Sequence, residues 1–178
     1  MPDIFMNDFE RTNWADAHYS VVGRALTFAT RFERLCRALH VYIGLKENKG
    51  FLESEEEVIK LVNRLHKLRL VDHVTAIARD ESELKNILDK ARLARNEIAH
   101  DITIGLDRCI DTLPSKHINY LMDRLRELII ELAAADRVVS VITTVVTHEP
   151  LPTNEFLTNY PHLIEKWVME TDEIERNS

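Results

Sequence analysis

The chain has 178 residues, of which 45% are hydrophobic and 30% charged, with only 4 glycines and 5 prolines. That length favours one domain with a full hydrophobic core, and that composition excludes a disordered chain and disfavours a β-sandwich. The formal net charge of -7 argues against indiscriminate binding to nucleic acid, which depends on many phosphate contacts. Any contact with nucleic acid would therefore come from a local basic patch.

The sequence also bears on location and on cysteine chemistry. No apolar run is long enough to span a bilayer, and residues 1–8 lack the basic start and apolar stretch of a signal peptide. We therefore expect a cytoplasmic protein without membrane contact. Cys36 and Cys109 stand apart from each other and from paired cysteines or histidines, so neither a disulfide nor a thiolate zinc site is predicted. Both are expected to be ordinary buried thiols.

The first predicted element is a long amphipathic helix from Trp14 to about Lys46, ended by residues 48–50. Its apolar residues recur three or four positions apart, which places them on one helix face. They are Val22, Leu26, Ala29, Phe32, Cys36, Leu39 and Ile43. Ser54 followed by Glu57 is the pattern of a capping box, and it predicts the start of a second helix.

Three more helices follow in the prediction. A short helix is expected around 71–78, and Asp80 with Glu83 offers a second capping box ahead of a fourth helix. The longest pattern opens at Pro114 and closes at Pro150. Within it, the β-branched residues 138–147 allow a strand interpretation, but they continue the helical spacing and have no hairpin partner. We therefore predict that they are helical.

The sequence thus predicts an all-α protein, an up-and-down bundle of about five to six helices. Residues 1–150 form this bundle in the prediction. Residues 151–178 form a C-terminal helix or tail that packs on the bundle or on a dimer partner, with its last residues frayed.

The fourth predicted helix contains the hexapeptide Arg95-Asn-Glu-Ile-Ala-His100. On a regular helix Arg95 and His100 lie about 140° apart around the axis, so they would flank a groove rather than touch. Asn96 lies four residues before His100, on nearly the same face, where its amide could orient the imidazole. The hexapeptide can thus present a permanent cation and a proton carrier.

Those two groups suit the cleavage of RNA without a metal, because the 2′-hydroxyl of RNA can attack its own neighbouring phosphate once its proton is accepted. Arg95 would stabilise charge on the phosphoryl oxygens, and His100 would transfer protons near neutral pH. A twofold dimer would bring two such pairs to one cleft and supply a separate acid and base. Arg92 and Glu97 are further candidates for binding or orienting the substrate.

The Arg-x4-His spacing, with Asn96 directly after the arginine and Ala99 before the histidine, resembles the signature of HEPN domains. These domains occur in ribonuclease toxins, abortive-infection proteins and RNA-guided RNA-cleaving effectors. Between Trp14 and His148 the order of elements is also similar to that all-α bundle: a long first helix, the motif on a middle helix and a long later helix. Outside the hexapeptide the resemblance rests on this pattern.

The resemblance implies a homodimer with the motif at its interface, Arg95 and His100 as catalytic residues, Asn96 as the orienting residue, and neither a metal nor another cofactor. It also implies an RNA product ending in a 2′,3′-cyclic phosphate and an antitoxin or sensor as partner, as in a toxin-antitoxin or antiphage system. In HEPN toxins paired with nucleotidyltransferase antitoxins a tyrosine stands two residues after the histidine, where this chain has Ile102. The sequence therefore does not predict regulation by nucleotide transfer to such a tyrosine.

The same residues allow other interpretations. Glu97 and His100 form a Glu-x-x-His pair like those of di-iron bundles, but such bundles need the pair twice and no second copy is present. The main alternative is a non-catalytic helical module that dimerises and binds a partner protein or a nucleotide. Arg95 would then form a salt bridge with Glu83, Glu97 or Asp101, and His100 would be a helix C-terminal residue favoured by the helix dipole.

Charged residues of the first predicted helix bear on the choice between an enzyme and an interaction module. Glu33, Arg34 and Arg37 could line the cleft beside the motif, or they could serve solubility as long bundle helices commonly require. An enzyme would expose Arg95 and His100 in a shared electropositive cleft, whereas an interaction module could bury them in structural pairs. The sequence leaves this choice open.

Overall fold

A computed structural model describes residues 12–104, 106 and 110–171 of the chain. Within them it contains six α-helices and no strand. The helices are α1 (Asn13–Glu47), α2 (Glu55–His66), α3 (Leu70–Ala78), α4 (Ser82–Glu97), α5 (Ser115–Thr147) and α6 (Asn154–Met169). A π-helical turn (Ile98–Ile102) continues α4, and a short 3-10 turn (Ile110–Thr112) precedes α5. The predicted all-α fold is confirmed, and so is the helical conformation of residues 138–147.

Local signals determine several helix ends. Ser54 caps α2 as predicted: its hydroxyl accepts a hydrogen bond from the Glu57 N–H (3.3 Å), and the Glu57 carboxylate accepts one from the Ser54 N–H (3.2 Å). The second predicted capping box, at Asp80, is wrong. The chain turns at Arg79, where φ is 50°, and Glu81 becomes the N-cap of α4 without a side-chain cap bond. The turn after α3 thus places the start of α4 one residue later than predicted.

The core lies where α1, α4 and α5 meet. Phe32 of α1, Leu88 of α4 and Leu125 of α5 are completely buried in it. Burying side chains of this size contributes about 1.5–3 kcal/mol each. On α4 and the π turn the buried positions are Leu88, Ala91, Ala94, Ile98 and Ile102. Because their three- or four-residue spacing uses one helix face, Arg95 and its neighbours lie along the flank of that face.

The C-terminal helix packs on α5 and α1. Val168 of α6 is completely buried in the common core, and the Tyr160 hydroxyl donates a hydrogen bond to the buried Asp136 carboxylate of α5 (2.6 Å). Arg24 of α1 donates from Nε to the carbonyl oxygen of Val168 (3.0 Å). α6 therefore shares the core of the preceding helices. Residues 172–178, expected to fray, lie outside the described part of the chain.

The structure tests the predictions on the two cysteines and on membrane-spanning segments only in part. Cys36 is a free buried thiol, as predicted, and burial raises its pKa to about 12. Cys109 lies outside the described residues. Across the ranges that the structure describes, no helix combines the length and the apolar character required to cross a membrane.

Candidate functional site

The hexapeptide lies across the junction between an α-helix and a π turn. Arg95 belongs to the last turn of α4, whereas His100 belongs to the π turn Ile98–Ile102. A π turn closes its hydrogen bonds between residues five apart, so each residue rotates the chain less than in an α-helix. The angle between Arg95 and His100 is therefore smaller than the roughly 140° of a regular helix. The expectation of a regular helix is wrong here, and the two side chains lie nearer to one face.

The π turn has local support from both packing and hydrogen bonding. Ile98 and Ile102 are both buried, so the wider turn keeps two apolar side chains in the core. The Thr103 hydroxyl lies within hydrogen-bond distance of the carbonyl oxygens of Ala99 (3.0 Å) and His100 (2.9 Å). Single π turns inside α-helices occur frequently at functional sites. The position of this one, inside the motif, makes the hexapeptide the leading candidate site.

Arg95 is half-buried and held from two sides. Its Nη2 donates to the Glu33 carboxylate of α1 at 2.6 Å, and its Nη1 donates to the Asn96 side-chain oxygen at 3.3 Å. The arginine side chain is 25% exposed. The salt-bridge partners considered from sequence, Glu83, Glu97 and Asp101, are wrong among the described residues. They were the acids near in sequence, whereas Glu33 is brought in by the packing of α1 against this region.

Glu33 holds a second arginine as well. Its other carboxylate oxygen accepts from Nη2 of Arg37, one turn further along α1, at 3.0 Å. The Arg37–Glu33–Arg95 cluster therefore sets two positive charges against one negative charge. Neither arginine Nε has a hydrogen-bond partner in the described part of the chain, although both atoms are buried. The cluster keeps an excess of positive charge beside the motif.

His100 is the exposed member of the motif. Its side chain forms no hydrogen bond or ion pair with another residue in the described ranges, and the residue is exposed to solvent. The orienting contact expected from Asn96 is not formed there, because the Asn96 side-chain oxygen accepts from Arg95 instead. The Asn96 side-chain oxygen is therefore engaged within the motif by Arg95 and not by the imidazole.

The two other candidates from sequence are engaged in ion pairs. Glu97 accepts two hydrogen bonds from Arg124 of α5, at 2.6 and 2.8 Å, and this bonding lowers the pKa of the Glu97 carboxyl. Arg92 donates to Asp89, one turn earlier on α4, at 3.1 Å. Glu97 therefore joins α4 to α5, and Arg92 is partly neutralised. Arg124 was not anticipated, because nothing near it in sequence indicates a partner 27 residues away.

Apolar side chains border the motif on both sides. Leu93, two residues before Arg95, is 57% exposed, and Ile104, four residues after His100, is 66% exposed. Exposed apolar groups beside polar functional ones are typical of surfaces that bind another molecule. The motif therefore lies on a surface with both polar and apolar binding capacity.

No protein-family model, curated protein or solved structure matches this chain. Within the described ranges, no group of three or more histidine, cysteine, aspartate or glutamate side chains is placed to hold a metal ion. The chain is thus an all-α protein in which an arginine held by two neighbours and an exposed histidine lie at the junction between an α-helix and a π turn. Such a pair can attract a phosphate and move a proton beside it.

Proposed function

We propose that this chain is a metal-independent endoribonuclease of the HEPN type. The observation that carries the proposal is the α/π junction, which combines a guanidinium held by Glu33 and Asn96 with a solvent-exposed imidazole five residues later. A held guanidinium binds phosphoryl oxygens with little loss of side-chain entropy. An exposed imidazole is free to exchange protons with a substrate.

In the proposed reaction, His100 accepts the proton of a ribose 2′-hydroxyl, and the 2′-oxygen attacks the adjacent phosphorus. The bond from phosphorus to the 5′-oxygen breaks, and the leaving oxygen takes a proton from His100 of the partner subunit. The products are a 2′,3′-cyclic phosphate and a 5′-hydroxyl end. Arg95 stabilises the negative charge that grows on the phosphoryl oxygens.

A homodimer belongs to the same proposal, since one chain carries one motif and the reaction uses an acid and a base. Leu93 and Ile104 support it, because association would bury these exposed side chains next to the two motifs. A nuclease of this kind would act in the cytoplasm. It would also need restraint, so the proposal includes a toxin or antiphage role with an antitoxin or sensor partner.

The experiment is cleavage of a mixed panel of structured and single-stranded RNA in the presence of EDTA. We expect cleavage by the wild type and a loss of at least about 100-fold in Arg95→Ala and His100→Ala. His162→Ala, which changes an exposed histidine of α6, is the matched control and should keep full activity. End-group analysis should find the cyclic phosphate. No cleavage across the panel, or equal cleavage by all variants, would overturn the proposal.

A second candidate function is the non-catalytic interaction module. The salt bridge between Arg95 and Glu33 favours this function, because joining α4 to α1 is enough to explain why the pair is present. In that case Arg95→Ala lowers the free energy of unfolding while the wild type cleaves no RNA. Thermal unfolding of the same variants, measured together with RNA cleavage by the wild type, therefore separates the two functions.

A further inference from the structure

A surface groove of about 410 Å³ lies between α1 and α2, beside the motif. Its lining residues are Arg34, Arg37, Ala38, Val41, Tyr42 and Leu45 of α1 and His66 of α2. From Arg34 to Leu45 the groove extends about 16 Å along α1. None of the lining residues is acidic, and two of them are arginines.

Arg37 connects this groove to the candidate site. Its side chain lines the groove and also donates to Glu33, the carboxylate that holds Arg95. The groove therefore begins where the Arg37–Glu33–Arg95 cluster ends. A chain molecule bound at Arg95 can continue into the groove without leaving the protein surface.

The groove is positive in a protein whose formal net charge is -7. Arg34 is exposed and forms no ion pair among the described residues. Lys46 adds a positive charge at the far end, with Nζ 5.2 Å from the centre of the Tyr42 ring. The nearby Glu47 carboxylate is bound to Arg79. A local positive potential of this kind attracts anionic ligands.

The floor of the groove is apolar and aromatic. Val41, Leu45 and the Tyr42 ring form it, and the Tyr42 hydroxyl donates to the carbonyl oxygen of Val146 in α5 at 2.6 Å. Guanidinium groups beside an apolar and aromatic floor are what single-stranded nucleic acid requires, because its phosphates are charged and its unstacked bases are apolar on their faces.

We propose that this groove binds single-stranded RNA on one side of the scissile phosphate, with Arg34 and Arg37 contacting its backbone. The inference rests on the proposed nuclease function, to which it adds a substrate-binding surface. It assigns the positive charges of α1 to substrate binding rather than to solubility.

The test measures binding of a fluorescein-labelled single-stranded oligouridine of about 12 nucleotides to the full chain carrying His100→Ala, which prevents cleavage. Adding Arg34→Glu should raise the Kd at least about tenfold and reduce the slope of log Kd against log salt by about 1 or more. The matched control is Lys166→Glu, which makes the same charge change at an exposed position of α6. It should change the Kd less than about threefold, because Lys166 lies away from the groove.

If Arg34→Glu and Lys166→Glu weakened RNA binding equally, or if Arg34→Glu did not weaken it, the proposal that the groove binds RNA would be overturned. Tight binding of a labelled polyglutamate peptide in place of RNA would also overturn it, because the groove would then serve an acidic protein partner. Cleavage of the same RNA by the wild type keeps the two proposals distinguishable. If the wild type cleaves the RNA but binding does not depend on Arg34, only the proposal that the groove binds RNA is overturned. If binding depends on Arg34 but the wild type cleaves no RNA, only the proposed nuclease function is overturned.

Discussion

Asp136 and Glu33 are both carboxylates that join helices in this molecule, and their surroundings differ. Asp136 of α5 is completely buried, accepts a hydrogen bond from Tyr160 of α6 and lies 3.5 Å from Nε of Arg31 in α1. Glu33 of α1 is partly exposed and holds Arg37 and Arg95. Asp136 is therefore surrounded by protein, whereas Glu33 lies at the surface beside an exposed histidine.

The difference separates a structural contact from a candidate site. Burial raises the pKa of Tyr160, and the hydrogen bond to Asp136 raises it further, so the hydroxyl is a donor at neutral pH. The Tyr160–Asp136–Arg31 cluster can thus hold α6 in place but cannot exchange protons with a ligand. The Arg37–Glu33–Arg95 cluster keeps unbalanced positive charge within reach of solvent. Similar chemical groups therefore serve stability in one place and are available for binding in the other.

Removing the Tyr160 hydroxyl should produce the largest loss of stability. Tyr160→Phe leaves the buried Asp136 carboxylate without its short hydrogen bond, and we expect the free energy of unfolding to fall by about 2 kcal/mol. Urea unfolding of the two proteins measures this, and RNA cleavage by the folded variant should be unchanged. A loss below about 0.5 kcal/mol would mean that Asp136 is not a structural anchor.

The next largest effect should come from a pair of histidines next to Arg37, which should lower the free energy of unfolding in acid. His40 and His73 share a hydrogen bond between their Nδ1 atoms at 2.9 Å, and burial lowers the pKa of both, with Arg37 and the neighbouring imidazole lowering that of His73 further. Glu47 and Asp72 act in the opposite direction on these pKa values. The shared bond needs one ring nitrogen as donor and the other as acceptor, so it is lost when both rings are protonated.

Because the pKa values are lower in the folded protein, the unfolded chain takes up protons first as the pH falls through about 6.5. The free energy of unfolding should therefore be largest above that pH and should decrease below it. Measuring it against pH for the wild type and for His73→Gln tests this, since the variant should show a shallower decrease. Identical slopes would exclude the histidine pair as the source.

Neutralising Glu33 should have the smallest effect on stability. Glu33→Gln keeps a hydrogen-bond acceptor for the arginines, and both arginine side chains are partly exposed, so we expect a loss below about 1 kcal/mol. Urea unfolding of Glu33→Gln and Tyr160→Phe under the same conditions compares the two losses directly. If Glu33→Gln cost as much as Tyr160→Phe, the cluster at Arg95 would be structural, and the interaction module would become the better interpretation.

Much of the fold could be predicted from the sequence because its signals are local. The spacing of apolar residues from Val22 to Ile43 predicted α1, which in the structure extends from Asn13 to Glu47. Ser54 and Glu57 predicted the start of α2 because a capping box involves only residues three apart. The same pattern failed at Asp80, where the conformation of the turn after α3 decided which residue became the cap.

The candidate site was only half predictable. Arg95 and His100 were recognised by their spacing, but the spacing does not reveal the π turn that begins between them. The positive groove was not anticipated either. The sequence named Arg34 and Arg37 as possible cleft residues, but it could not place them opposite α2.

The sequence by itself determined the all-α class, the approximate extent of the helices and the presence of an arginine and a histidine five residues apart. These features depend on helix periodicity and on contacts within about one turn. Only the tertiary structure decided that Arg95 is held by Glu33, 62 residues away, and that Glu97 is held by Arg124. Such contacts arise when helices pack, and no local spacing records which charged side chains the packing brings together.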